Sequence, residues 1–464
     1  MINCAQPWFE MQIEYNERVG CCCYYRFEKA CLDLNEPFSV DKYWNGEKMQ
    51  ETRKVVASNN ILGTGCEGCQ YIRYGSVSPF LAMPDYLNQK QRNNWSNALN
   101  NYKKKMIIID SYPVKYYFNF GLLCNLKCIM CSQENLRRID KRLLPVEILT
   151  GLKEYLMVAN EIAVIGGEPF LLPNARALIE MMVSDPDYSD LKLSLFTNGT
   201  LLHRYIEKLR SMKRINLCVS LDTIGDAYEK IRRGATWNRT EQNIMAFRET
   251  AEKYNLDWRV NIAAVVMKSS IPRLVDFVDW CIERDFPVHF VPIQPQALQP
   301  KGFSFGEEIF KYPGLLKDIP NWEDLFNKAI EKLTEKGWIS GAAKPLSLMR
   351  DEIKARELNL KGETLFCRGD IEGAMKLFTE AERKDPDYML TYNNIGVIHW
   401  QKGEVMTALR YFINILKVDP NSREATLNCG MLLKSMGKFE DAEKIYAAYL
   451  RNHPDDRVIT AALQ

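Results

Sequence analysis

Histidine is scarce, with four in 464 residues, which argues against a His-rich zinc or non-haem iron site. Net charge is nearly absent too. The 61 basic side chains against 59 acidic ones leave +2, so composition asks for no nucleic-acid or membrane-surface partner. No run of about 18 apolar residues occurs, and no membrane span is expected. The opening Met1-Ile2-Asn3-Cys4-Ala5-Gln6-Pro7-Trp8 lacks the basic-then-apolar order of a signal peptide. The chain therefore reads as cytoplasmic. Its length suggests roughly two to four domains, and an apolar share of 46% permits a sizeable core.

Cysteine, by contrast, is abundant. There are 14 in a chain assigned to a reducing compartment, where disulfides are rare. Cys4, Cys21, Cys22, Cys23, Cys31, Cys66 and Cys69 crowd the first part, and Cys124, Cys128 and Cys131 follow. Such clustering points to metal or iron–sulfur ligation. Cys218, Cys281, Cys367 and Cys429 are scattered and read as small core residues.

Residues 1–105 are rich in cysteine and aromatics, with few clear helices. From 106 to 300, strand and helix patterns alternate. Residues 301–350 form a linker or helical connection, and 351–464 are helical and repetitive. Gly362, Gly396 and Gly430 are 34 apart, as are Ala374, Ala408 and Ala442, and Pro386, Pro420 and Pro454. Gly369, Gly403 and Gly437 mark a turn in each unit, and Phe378, Phe412 and Tyr446 fill one aromatic position. This pattern resembles the tetratricopeptide repeat, which implies an all-α solenoid with a concave binding face. The alternative is a helical cap or a dimerisation block.

Six apolar runs in the middle segment read as strands: Val114–Phe120, Glu161–Ile165, Leu191–Phe196, Ile215–Leu221, Arg259–Val266 and Val288–Ile293. Helix-length stretches separate them. The fold class is therefore α/β, a parallel sheet with right-handed crossovers, short of the eight units of a full barrel. In such folds chemistry sits at the carboxyl ends of the strands, and the distinctive residues lie just after these runs.

Cys124, Cys128 and Cys131 follow the first run in a C-x3-C-x2-C arrangement that can hold three irons of a 4Fe–4S cube and leave the fourth iron open. A zinc knuckle is the alternative, although zinc sites usually show paired C-x2-C elements. Gly166-Gly167-Glu168-Pro169 follows the second run, about 35 residues later, and Thr197-Asn198-Gly199 follows the third. Ser220-Leu221-Asp222 ends the fourth, and Ile231-Arg232-Arg233-Gly234 comes next. This series resembles the radical S-adenosylmethionine (SAM) superfamily. The resemblance implies a partial (β/α)6 barrel and a SAM-binding 4Fe–4S cluster whose electron cleaves SAM to methionine and a 5′-deoxyadenosyl radical that abstracts hydrogen. It also implies roles for named residues. Gly166, Gly167, Glu168 and Pro169 would receive the SAM ammonium. Asn198, Ser220 and Asp222 would lie near SAM, and Arg232 or Arg233 would pair with its carboxylate. Spacing from Gly234 favours Arg232. Helix capping is the alternative for Ser220 and Asp222. Met130 departs from the family, many of whose members place an aromatic there near the adenine.

In the first segment, Cys4-x2-Pro7-Trp8, Asn16-Glu17-Arg18-Val19-Gly20-Cys21-Cys22-Cys23, Tyr43-Trp44-Asn45, Arg53 and Cys66-Glu67-Gly68-Cys69 occur in order. The layout resembles the SPASM and twitch auxiliary-cluster domains, although those usually follow the barrel. That implies a second, auxiliary 4Fe–4S cluster on Cys4, Cys22, Cys66 and Cys69, with Cys21 or Cys23 as alternatives to Cys22. A structural zinc site of four cysteines is the competing reading. The family also implies a reducing electron donor such as flavodoxin or ferredoxin.

The expected function is a radical SAM enzyme that modifies a peptide or protein docked by the repeats. A small-molecule substrate (a sugar, nucleotide or amino-acid precursor), with repeats for assembly, is the second expectation. A non-catalytic iron–sulfur scaffold is the third. No side chain stands out as acid, base or radical donor.

Overall fold

The computed structural model describes residues 4–22, 30–33, 35–61, 64, 66, 69, 79–293 and 306–463. The chain divides into two units, one of Met1–Glu307 with Asn321–Leu346 and the other of Glu308–Pro320 with Ser347–Gln464. Among the described residues, no helix is long and apolar enough to cross a membrane.

The first unit is built on a nine-stranded sheet. The strands are β1 (Glu10–Glu14), β2 (Arg18–Gly20), β3 (Ala30–Cys31), β4 (Lys115–Asn119), β6 (Glu161–Ile165), β7 (Lys192–Thr197), β8 (Arg214–Ser220), β10 (Asp257–Val266) and β11 (Val288–Pro292). A separate two-stranded ribbon pairs β5 (Lys127–Cys128) with β9 (Arg232–Arg233). The sheet order is β11-β10-β8-β7-β6-β4-β1-β2-β3, and the run from β4 to β11 is parallel throughout. All six apolar runs are strands. Each is laid beside its predecessor, as right-handed crossovers of a barrel-like winding require. Alternation sets the faces: on β8, Ile215, Leu217 and Val219 are buried while the residues between them are half-buried. Helices Pro173–Ser184, Trp237–Lys253 and Leu274–Glu283 lie between successive strands.

The amino-terminal segment does not stand wholly apart from this sheet. β1 pairs in parallel with β4, and β2 and β3 continue from it antiparallel. Without β1, β4 would present an unpaired edge. Register explains the match: Glu10, Lys115, Glu161, Lys192, Arg214 and Asp257 stand directly opposite one another across six strands. Lys115 lies 3.4 Å from both Glu10 and Glu161, and Lys192 lies 2.5 Å from Glu161. Burial pushes the Glu161 carboxyl up, but Lys115 and Lys192 outweigh it and hold it at about 2. The row braces the amino ends of the strands, away from the motif-bearing loops.

Residues 1–105 also contain more helix than their pattern suggests, with Glu47–Ser58 and Gln89–Lys103 both regular. The second is closed by a reciprocal cap between Asn88 and Gln91. Its inner face carries amides beside Trp95 and Ala98. Gln91 donates to the Ala159 carbonyl at 2.7 Å, and Asn94 to those of Tyr112 and Val158 at 3.2 Å. Buried amides replace apolar side chains there, so hydrophobic periodicity is weak.

Helix Lys344–Cys367, most of which belongs to the second unit, is followed there by helices Ile371–Lys384, Met389–Gln401, Val405–Val418, Arg423–Ser435, Phe439–Leu450 and Arg457–Leu463. The repeating glycine and the repeating aromatic are two halves of one contact. A Cβ at Gly362 would lie 2.5 Å from Phe378, one at Gly396 2.7 Å from Phe412, and one at Gly430 2.2 Å from Tyr446. Ala374, Ala408 and Ala442 are fully buried. The turn residues Gly369, Gly403 and Gly437 take positive φ, where glycine is unstrained.

Candidate active site

The motifs converge at the carboxyl ends of β4, β6, β7 and β8. After β4 the chain turns through Gly121 and runs past Leu123 to Cys124. After β6 it crosses this loop so closely that a Cβ at Gly167 would lie 2.1 Å from the Leu123 carbonyl oxygen. The Gly167 amide donates to the Gly121 carbonyl at 2.9 Å, and the Glu168 amide to that of Leu123 at 2.8 Å. Both glycines are thus required by loop-on-loop contact, and Gly166 also has a φ of +144°.

Glu168 is fully buried. Its Oε1 accepts from Thr197 Oγ1 at 2.7 Å and from the Phe170 amide at 3.3 Å, and its Oε2 accepts from the Asn198 amide at 2.9 Å. Burial pushes its carboxyl up to about 7, against the pull of these hydrogen bonds. The glutamate therefore ties the Gly166–Pro169 loop to the Thr197–Gly199 turn. Asn198 extends the tie: its Nδ2 donates to Asn125 Oδ1 at 3.0 Å and to Cys124 Sγ at 3.7 Å.

Cys128 lies on β5, opposite Arg232 of β9. Arg232 is buried, with Nε 2.8 Å from Asp222 Oδ2, Nη2 donating to Asp222 Oδ1 at 3.0 Å, and Nη1 4.0 Å from Cys128 Sγ. Burial works against this cation, but Asp222 foremost, with Cys128, raises its pKa above the usual value. Arg233 is exposed. Asp222 also accepts from the Val265 amide at 2.9 Å, while Ser220 ends β8 opposite Ala263. Cys131 follows Cys128 in a tight turn, its amide donating to the Cys128 carbonyl at 3.1 Å. Arg137 Nη2 lies 3.7 Å from Cys131 Sγ. Arg137 and Asn125 had no place among the expected site residues. Their only signal was a cation and an amide close to the cysteine run.

Burial pushes the Cys124 thiol up, and takes Cys128 to about 11 against the opposing pull of Arg232. Ligation requires thiolates, and the two guanidiniums and the Asn198 amide supply the compensation that burial demands. The donor set is sulfur only, and each thiol meets a side-chain N–H. It fits an iron–sulfur cluster. Among the described residues, no three His, Cys, Asp or Glu side chains close to the spacing of a single metal ion.

The second group forms around Cys4. Burial pushes its thiol up to about 12, and Cys22, Cys66 and Cys69 each lie near enough that their negative charge adds to the rise. The Cys69 amide donates to the Cys66 carbonyl at 3.0 Å, the same bond that Cys131 makes to Cys128. Cys21 is buried and lies near Arg53, whose pKa burial pushes down to about 10 against a smaller opposing pull from Cys21. Cys23 lies outside the described residues. Arg53 is fully buried. Its Nε donates to the Pro7 carbonyl at 2.9 Å, Nη1 to that of Ile107 at 3.0 Å, and Nη2 to that of Trp44 at 2.8 Å, which holds the short helix Gln6–Phe9 that follows Cys4.

The radical SAM superfamily model matches residues 118–258, and a tetratricopeptide repeat model matches 399–464. Molybdenum cofactor biosynthesis protein 1 of Dictyostelium discoideum is 29% identical over 201 residues, 41% of this chain and 31% of that protein. A probable GTP 3′,8-cyclase of Methanococcus aeolicus is 30% identical over 176 residues, 37% of this chain and 56% of that protein. The chain thus spans less than two thirds of either relative. Among solved structures, Streptococcus suis SuiB is 19% identical with a TM-score of 0.35, covering 68% of each chain. The anSMEcpe structure with bound AdoMet is 24% identical with a TM-score of 0.35, covering 48% of this chain and 60% of that one. The chain carries a radical SAM domain and, after it, a tetratricopeptide-repeat region.

Proposed function

We propose that the protein is a radical SAM enzyme that modifies a peptide or protein docked by its repeats. The observation that carries the chemistry is the interlocking of the Cys124–Cys131 loop, the Gly166–Pro169 loop and the Thr197–Gly199 turn beside the Asp222–Arg232 pair. When bound, a 4Fe–4S cluster supplies the electron that cleaves SAM. Cys124, Cys128 and Cys131 would hold it. The Gly166-Gly167-Glu168-Pro169 loop would receive the SAM ammonium, with Asn198, Ser220 and Asp222 lining the cofactor. Arg232 would offer the N–H groups left over from Asp222 to the SAM carboxylate, a guanidinium being suited to that group. Cys4, Cys22, Cys66 and Cys69 would hold an auxiliary 4Fe–4S cluster. A flavodoxin or ferredoxin would serve as electron donor.

The repeats favour a polypeptide substrate, because stacked helical units build an extended docking face. The likeness to GTP 3′,8-cyclases favours a second reading, a small-molecule substrate with the repeats used for assembly. Anaerobic reduction of the iron-loaded protein with SAM tests the chemistry: slow release of 5′-deoxyadenosine is expected without substrate, and Cys128→Ala should abolish it. No 5′-deoxyadenosine from cluster-replete protein under any condition would leave a non-catalytic scaffold.

A further inference from the structure

Arg137 has no part in the cofactor contacts described above, yet it reaches the cysteine loop at two points. It lies on the short helix Gln133–Ile139 that follows Cys131. Its Nη2 points at Cys131 Sγ, 3.7 Å away, and its Nη1 donates to the Cys124 carbonyl at 3.4 Å. Nε is buried and has no hydrogen-bond partner among the described residues. Nor does Arg137 form an ion pair with a carboxylate among them; Glu134 on the same helix pairs with Arg138 instead. The sulfur this half-buried guanidinium meets is that of Cys131, which as a cluster ligand would be a thiolate and so the anion that balances it.

We propose that Arg137 is a positioning residue that sets the reduction potential of the SAM-binding cluster. Its hydrogen bond to the Cys131 thiolate spreads negative charge away from the cluster, and its positive charge favours the form with one more electron. Hydrogen bonds to sulfur and local charge are the protein's usual levers on such potentials. The Nη1 bond holds the first cysteine's backbone, so one side chain spans both ends of the C-x3-C-x2-C loop. Arg232 at Cys128 and Asn198 at Cys124 complete one side-chain N–H donor per thiol, but both are tied into the candidate SAM site, whereas Arg137 is not.

The inference rests on the reading that these three cysteines hold a cluster, and the experiment separates the two. Iron and sulfide content, with electron paramagnetic resonance of the reduced wild type, establishes the cluster first; a wild type without the signal that SAM perturbs would sink that reading. The potential of that signal is then titrated in wild type, Arg137→Met and Arg137→Lys. At the wild-type midpoint, Arg137→Met should show an about tenfold lower ratio of reduced to oxidised cluster, a shift of about 59 mV for one electron. Arg137→Lys should fall between, and SAM affinity should be unchanged in both. Unchanged potential in iron-replete Arg137→Met overturns the proposal, as does a tenfold loss of SAM affinity at constant potential, which would make Arg137 a cofactor contact. Should Arg137→Met fail to hold iron, Arg137→Lys decides: an intermediate potential supports the role, and a wild-type potential overturns it.

Discussion

Asp222 grips Arg232 with both carboxylate oxygens, Oδ2 at 2.8 Å from Nε and Oδ1 at 3.0 Å from Nη2, and both side chains are nearly sealed from water. The pair joins the end of β8 to β9, and β9 in turn pairs with the strand that carries Cys128. Breaking a buried ion pair leaves its partner charged and unmatched, at a cost of about 3–5 kcal/mol. Asp222→Asn is therefore expected to lower the stability of the first unit by about that amount and to reduce iron retention. Denaturant titration and iron analysis measure both, and wild-type stability would show that water or Cys128 already balances Arg232.

Glu168 offers a pH test. Its carboxyl is pushed up to about 7 by burial, so near neutral pH it is half protonated. Only the ionised form attracts an ammonium. If the side chain receives the SAM ammonium, SAM affinity should rise as pH climbs from 6 through about 7, roughly tenfold per unit on the steep part, and Glu168→Gln should flatten the curve at the weak end. Wild-type affinity that does not change across this range would restrict Glu168 to bracing Thr197 and Asn198. The folded-state shift has its own sign. The native protein keeps a proton here that the unfolded chain has released, so this group's contribution to stability declines as pH rises from the ordinary glutamate range to about 7.

Iron content tests the two cysteine groups together. Two 4Fe–4S clusters correspond to about eight irons per chain. The Cys124→Ala, Cys128→Ala, Cys131→Ala triple variant should keep about four, and loss of Cys66 and Cys69 should leave the complementary half. Zinc bound tightly at the Cys4 group would overturn the auxiliary cluster.

The repeats can be separated from the chemistry. The division between units falls at Leu346, so a chain ending there retains every candidate cofactor residue. It is expected to keep both clusters and SAM cleavage but to turn over its substrate with a raised KM, because a distant docking face supplies affinity rather than chemistry. Wild-type turnover would show that the repeats are not a substrate dock. Loss of clusters or aggregation would make them part of the structural core. The segment Glu308–Pro320 belongs to the second unit and loses its packing in this truncation. Gly430→Leu in the full chain gives an independent check, since a side chain there collides with Tyr446 inside the second unit and leaves the first intact.

Much of this was legible without coordinates, for a physical reason in each case. Cys124, Cys128 and Cys131 are close in sequence, and a short turn brings them together whatever surrounds it. The 34-residue repeat is legible because each unit repeats one packing problem, and Gly362 against Phe378 is its solution. The six parallel strands follow from apolar runs separated by helix-length stretches. What only tertiary structure decided depends on register between distant segments. Strand β1 lies beside β4 in a register that sets Lys115 between Glu10 and Glu161, a match that no local window contains. Gly166 and Gly167 look like cofactor-binding glycines in sequence, and the fold adds that the Cys124 loop crosses them. Glu168 bonds Thr197 and Asn198 because neighbouring strands deliver their loops to one end of the sheet. Sequence alone named the candidate residues; tertiary structure decided which of them hold each other, since hydrogen bonds between loops exist only after the sheet has set their spacing.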